Sequence, residues 1–160
     1  RLAAAIILGG ALSVSGFLLQ TFFNNPIAGP YVLGISSGAK LTVALTMILF
    51  MNNGIILSSF GLVAAAFAGS LISMSFVLLL SMRVRNMSML VVCGIFTGYV
   101  CSAVTDFFVT FANDSNIVNL HNWSLGSFSG IGWDDVISMS LIVFPVVAAV
   151  VLMLKPIGAY

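Results

Sequence analysis

Residues 2–23, LAAAIILGGALSVSGFLLQTFF, contain no charged side chain. A run of this length and apolarity matches the roughly 20 residues that a helix needs to cross a hydrocarbon core. Four more such runs follow, at about 31–51, 55–82, 87–112 and 136–154, with Lys40 and Asp106 as their only charges. Charged residues make up 6% of the chain and hydrophobic ones 61%, where a soluble domain carries roughly 25% charged residues. So few charges cannot cover a globule with a wetted surface, and lipid is the expected solvent. Residues 1–160 therefore read as a single transmembrane region, an all-α membrane protein of about five spanning helices. The net charge of +1 provides no steering field, and nucleic acid is not an expected partner.

The sparse cations orient the spans. Arg83 and Arg85 lie between the third and fourth runs, and Lys155 follows the fifth. Two crossings separate these places, so they share one side, which the cation bias of short loops makes cytoplasmic. The connection NNPIAGP at 24–30 falls on the same side. MNNG at 51–54 and the long connection 113–135 fall opposite, together with Arg1, which runs against the bias. In the 113–135 connection, Ile117, Leu120, Trp123 and Leu125 recur near helical spacing among Asn119, His121 and Asn122. This pattern predicts a short amphipathic helix lying at the interface. Trp123 and Trp133 suit headgroup level. Gly126, Gly130 and Gly132 end that helix and start a turn. Asp134 and Asp135 then stand where the positive end of the last helix dipole favours them.

Small residues recur every fourth position: Gly34 and Gly38 in the second run, Gly61, Ala65 and Gly69 in the third, Gly94, Gly98 and Ser102 in the fourth. Such rows let helix backbones approach closely in lipid. They serve packing within one subunit, or a pathway or subunit interface. The fourth-run row continues to Asp106, and an acid facing lipid costs several kcal/mol. Gly94, Gly98, Ser102 and Asp106 are thus a candidate pathway face, with a satisfied structural acid as the other reading of Asp106. Lys40 is long enough to snorkel or to pair with a carbonyl. His121 stands alone and makes no metal site. Cys93 and Cys101 are about 12 Å apart along a helix, too far for a disulfide, and read as packing residues. There is no glutamate, no phosphate-binding loop and no nucleophile–base pair. Neither catalysis nor a cofactor is expected, and any ATP hydrolysis would belong to a separate subunit.

One phrase is far more specific than a hydropathy pattern. GGALSVSGFLLQTFFNNPIAGPYVLGISSGA, at residues 9–39, resembles the signature of the FecCD family, the permease subunits of bacterial ABC importers for iron–siderophores, haem and cobalamin. Gly10–Gly16, Gln20, Asn25, Pro26, Ala28, Pro30, Leu33, Gly34, Ser36, Ser37, Gly38 and Ala39 carry the likeness. A second block, LVVCGIFTGYVCSAVTDFF followed by WSLGSFSGIGWDDV, also resembles the family. The resemblance implies half of a ten-helix permease, roughly its second to sixth membrane helices, in the bacterial cytoplasmic membrane. It implies a second permease copy, ATPase subunits and an extracytoplasmic substrate-binding protein as partners of the full-length parent. The substrate would be an iron–siderophore or a related metal chelate. The fourth run would line the pathway, Arg83, Arg85 and Asn86 would lie near a cytoplasmic gate, and the side carrying Trp123 and Trp133 would meet the binding protein. Asn25, Pro26, Pro30, Gly34, Ser37 and Gly38 would fix how two helices meet. Packing motifs alone would also suit a non-transporting membrane scaffold, and an intramembrane acid with broken helices would suit half of a secondary transporter.

Overall fold

The structure, a computed structural model, describes residues 1–51, 55, 58–83 and 87–153. Among these, six helices follow one another: α1 Leu2–Phe23, α2 Ile35–Met51, α3 Ser59–Ser81, α4 Met87–Thr110, α5 Asp114–Leu125 and α6 Trp133–Leu152. Four of them, α1, α3, α4 and α6, are long and apolar enough to cross a membrane. The helix in the second run is shorter than the expected 31–51. It holds 17 residues, about 25 Å, because residues 31–34 are spent in a turn. There Leu33 N–H donates to the Gly29 carbonyl and Gly34 N–H to the Tyr31 carbonyl, and Gly34 sits at φ 73°. The chain divides into two compact units: Leu19–Gly126, and Arg1–Leu18 with the chain from Ser127.

In the Leu19–Gly126 unit, α2 packs against α3, α4 and α5, and α3 meets α4. The local chemistry sets where each helix starts and stops. Asn24 takes a left-handed turn at φ 45°, and Asn25 Oδ1 accepts from Ile27 N–H at 2.9 Å. Pro26 offers no N–H to continue α1, and its carbonyl accepts from Gln20 Nε2 at 3.0 Å. The α3 helix begins at Ser59, because Ser58 is extended and its hydroxyl accepts from Gly61 N–H, a common N-cap arrangement. Gly126 at φ 71° ends α5.

Two clusters of buried side chains hold this unit together. Phe23 at the end of α1, with Ala28 and Leu33 from the 24–34 connection, packs against Val77 of α3 and against Leu90 and Val91 of α4. Val43, Ala44 and Met47 of α2 pack with Leu120 of α5, bordered by Leu62, Ala65 and Ala66 of α3, Val109 of α4 and Trp123. The packed face of α5 therefore includes Leu120 and Trp123 as its spacing indicates, while Leu125 points outward. In the other unit, α6 begins at Trp133, earlier than the apolar run suggests. Asp135 Oδ2 accepts from Gly132 N–H at 2.9 Å, and Asp134 and Asp135 occupy the first turn, where the dipole favours anions. Pro145 sits inside α6, where it removes one backbone donor.

Candidate functional site

The small-residue rows meet at one junction. A Cβ on Gly34 would lie 2.7 Å from the Gly98 amide nitrogen and 2.9 Å from the Gly94 carbonyl oxygen. A Cβ on Gly94 would lie 2.9 Å from Leu33 Cα. Backbone therefore rests on backbone where the 33–34 turn crosses α4, and only glycine leaves room for it. The positive φ of Gly34 independently disfavours any other residue. On the other side of α2, a Cβ on Gly38 would lie 2.6 Å from Ser73 Cβ and 2.9 Å from the Gly69 carbonyl oxygen. Ser73 is buried, and its hydroxyl donates to the Gly34 carbonyl at 3.0 Å, spanning 39 positions of sequence. Thr42 Oγ1 lies 2.8 Å from the Ala65 carbonyl, 2.9 Å from that of Ala39 and 3.2 Å from that of Gly38. Its one proton serves one of them at a time.

Ser73 and Thr42 are the contributors that the sequence reading did not single out. The signal was present in their spacing. Thr42 continues the Gly34–Gly38 row by four, and Ser73 continues the Gly61–Ala65–Gly69 row by four. A small hydroxyl residue serves such a row as glycine does and adds a donor.

On α4 the row Gly94–Gly98–Ser102–Asp106 divides. Each four-residue step turns about 40° beyond a full turn, so its members spread over about 120°. Gly94 and Gly98 face the α2 turn and are buried, whereas Ser102 and Asp106 have rotated into exposure. There they share a stripe with Ile95 and Tyr99, both exposed. Ser37 approaches Gly98, whose Cβ would lie 3.5 Å from Ser37 Oγ. Asn25, Pro26 and Pro30 shape the connection and do not enter the junction. Lys40 is half-buried in the second turn of α2, Arg83 is exposed just past α3, and Trp133 is exposed at the start of α6. Arg85, Asn86 and Lys155 lie outside the described residues.

Between α3 and α4, above α2, runs an apolar cleft of about 440 Å³ whose walls include Phe76, Cys93, Phe96, Thr97 and Cys101. The hydroxyls that border it turn away toward backbone: Thr97 Oγ1 donates to the Cys93 carbonyl at 2.8 Å, as Ser73 does to Gly34. The cleft thus presents hydrocarbon and no free polar group of these residues. Among the described residues no group of three or more His, Cys, Asp or Glu side chains could hold a metal ion. The arrangement can fix helices against one another and present a short polar stripe on α4. It offers no constellation for bond-making chemistry.

The profile of the FecCD transport family matches residues 1–159. Among curated proteins, the vitamin B12 import system permease protein BtuC of Serratia proteamaculans is 35% identical over 135 residues, covering 83% of this chain and 39% of its own length. The BtuC protein of Yersinia enterocolitica is 38% identical over 135 residues, with the same coverage of each chain. That of Klebsiella pneumoniae is 32% identical over 158 residues, 99% of this chain and 46% of its own. The chain thus spans about two fifths to one half of the curated relatives it matches. Among solved structures, an inward-facing conformation of an ABC transporter described as metal-chelate type superposes with a TM-score of 0.81 at 20% identity. That match covers 98% of this chain and 49% of the other, and it carries the fold alone.

Proposed function

The chain belongs to the FecCD transport family, and on that footing we propose that it is part of the membrane permease of an ATP-binding cassette importer. In this reading a full-length permease pairs with a second copy, with separate ATPase subunits and with an extracytoplasmic substrate-binding protein. The assembly moves a bulky metal chelate across the bacterial cytoplasmic membrane. The observation that carries the reading is that the family profile runs through residues 1–159, and that its most specific phrase is the segment that docks on Gly94 and Gly98. Vitamin B12 is the first candidate substrate, because the curated relatives are named for its import. Iron–siderophore complexes of similar bulk are the second.

The exposed α4 stripe that includes Ser102 and Asp106 is our candidate pathway face, with Gly94 and Gly98 holding it in place from behind. Trp123 and Trp133 are the candidate residues for the binding-protein side. The loop starting at Arg83 is the candidate gate side. The reading is tested by reconstituting the full-length permease with its ATPase and binding protein in liposomes. Uptake of labelled cobalamin and of a labelled ferric siderophore would be followed with ATP, without ATP and with vanadate. ATP-dependent accumulation of either chelate supports the reading, and which one accumulates decides the substrate. No ATP-dependent uptake of any chelate, with no complex formed with an ATPase, overturns it in favour of a scaffold.

A further inference from the structure

We infer that α2, α3 and α4 move as one rigid body keyed on α2, so that the cleft between α3 and α4 keeps constant width while the protein changes state. Two kinds of contact make α2 the key. On the α4 side, the 33–34 turn lies against the Gly94 and Gly98 backbone with no side chain between them. On the α3 side, Gly38 and Gly69 approach backbone to backbone with only the short side chains of Ser73 and Thr42 beside them, and both of those are pinned by hydroxyl bonds that cross the contact, from Ser73 to the Gly34 carbonyl and from Thr42 to the Ala65 carbonyl. A contact made of side chains can slide by changing rotamers. A contact of backbone on backbone has no such freedom and either stays or separates. Gly34 takes part in both sides at once, since its Cα meets α4 while its carbonyl is held by α3. Motion of one flanking helix therefore reaches the other through a single residue.

The cleft itself looks like a hinge space, because the long side chains Phe76 and Phe96 face into it. Neither of its walls is free to swing, however, as both are fixed to the same floor. With its hydroxyls turned toward backbone, the cleft also holds no charge that could drive closure.

Applied to a transport cycle this inference rests on the importer reading, but its test does not. In the full-length protein, Cys93 and Cys101 are replaced by Ser, and spin labels are placed at Leu71→Cys on α3 and Val92→Cys on α4, both exposed positions. Interlabel distances are measured by pulsed dipolar spectroscopy in lipid nanodiscs, alone and with the ATPase in nucleotide-free and nucleotide-trapped forms. The expected result is one narrow peak that stays within about 2 Å in every condition, the scale of small helix shifts at packed interfaces. A second peak, or any larger shift, overturns the inference. Loss of ATP-dependent uptake in the unlabelled full-length protein would count against the importer reading alone, since the distances are read without transport.

Discussion

Replacing Gly34 by alanine should be among the most damaging single-methyl changes in the Leu19–Gly126 unit, and its cost can be divided. Holding a non-glycine residue at φ 73° costs about 1–2 kcal/mol. The new Cβ would start 2.7 Å from the Gly98 nitrogen, while ordinary contact begins near 3.4 Å. The turn must back away from α4 by the difference, against atoms that are all backbone. Overpacking of this kind costs typically about 1–3 kcal/mol. Together these give about 2–5 kcal/mol, or between roughly 30-fold and a few thousand-fold in the folded-to-unfolded ratio at 1.4 kcal/mol per decade. Two other alanines separate the contributions. Gly126→Ala has a φ of 71° but open space around its Cβ, and Gly29→Ala has open space and no positive φ. We expect about 1–3 kcal/mol for the first, whose ψ of 155° puts it in a region that is nearly glycine-only, and close to nothing for the second. The assay is unfolding by dodecyl sulfate in mixed micelles. Trp123, which packs beside the α2 cluster, serves as the fluorescent reporter in a Trp133→Phe background. Equal midpoints for Gly34→Ala and Gly126→Ala would refute the steric argument, and a wild-type midpoint for Gly34→Ala would refute both parts.

Four further outcomes follow from the contacts described above. Ser73→Ala should cost about 1 kcal/mol, because the Gly34 carbonyl keeps its bond from Gly38 N–H. Thr42→Val should cost about 0.6 kcal/mol, the average for cross-helix bonds in membranes, and the same unfolding assay reads both. Asp135→Ala removes the acceptor of Gly132 N–H and should lower stability by about 0.5–2 kcal/mol, seen as earlier amide exchange in the first turn of α6. In the assembled full-length permease, a cysteine at Ser102 should react with a water-soluble maleimide at a rate that follows nucleotide state, and one at Gly98 should not react. Labelling of Gly98→Cys with protection of Ser102→Cys would reverse the assignment of the two faces.

Much of the architecture is legible from hydropathy because membrane helices declare themselves by length. The ends of α1, the presence of an amphipathic helix within the 113–135 connection and the acids heading α6 could all be read from residues 2–23, from Ile117, Leu120 and Trp123, and from residues 134–135. The start of α2 could not. Tyr31, Val32 and Leu33 are apolar enough to join the helix, and only tertiary contact reveals that Gly34 is left-handed and pressed on α4. The division of the α4 row was hidden for a related reason. A four-residue repeat reads as one face in sequence, but a 3.6-residue helix rotates it away, so Gly98 and Asp106 part company. The Ser73–Gly34 bond joins positions 39 apart, and no local pattern reports such a pairing. The residues of the family phrase are conspicuous in sequence, whereas their partners become visible only once the helices meet.

The shortness of α2 has a consequence for how the protein meets its membrane. At about 25 Å, α2 falls short of a hydrocarbon layer of about 30 Å, and protein packs along most of it, while Leu49 and Phe50 near its C-terminal end stay exposed. At one end Phe23 of α1 packs with Ala28 and Leu33 of the 24–34 connection, and Leu120 and Trp123 of α5 pack beside Val43, Ala44 and Met47 toward the other. Its first turn therefore lies among protein instead of depending on water at the bilayer surface. Hydrophobic mismatch then acts mainly on the long helices. A thicker or thinner membrane can tilt them, while α2 presents an exposed apolar surface chiefly at its C-terminal end, through Leu49 and Phe50.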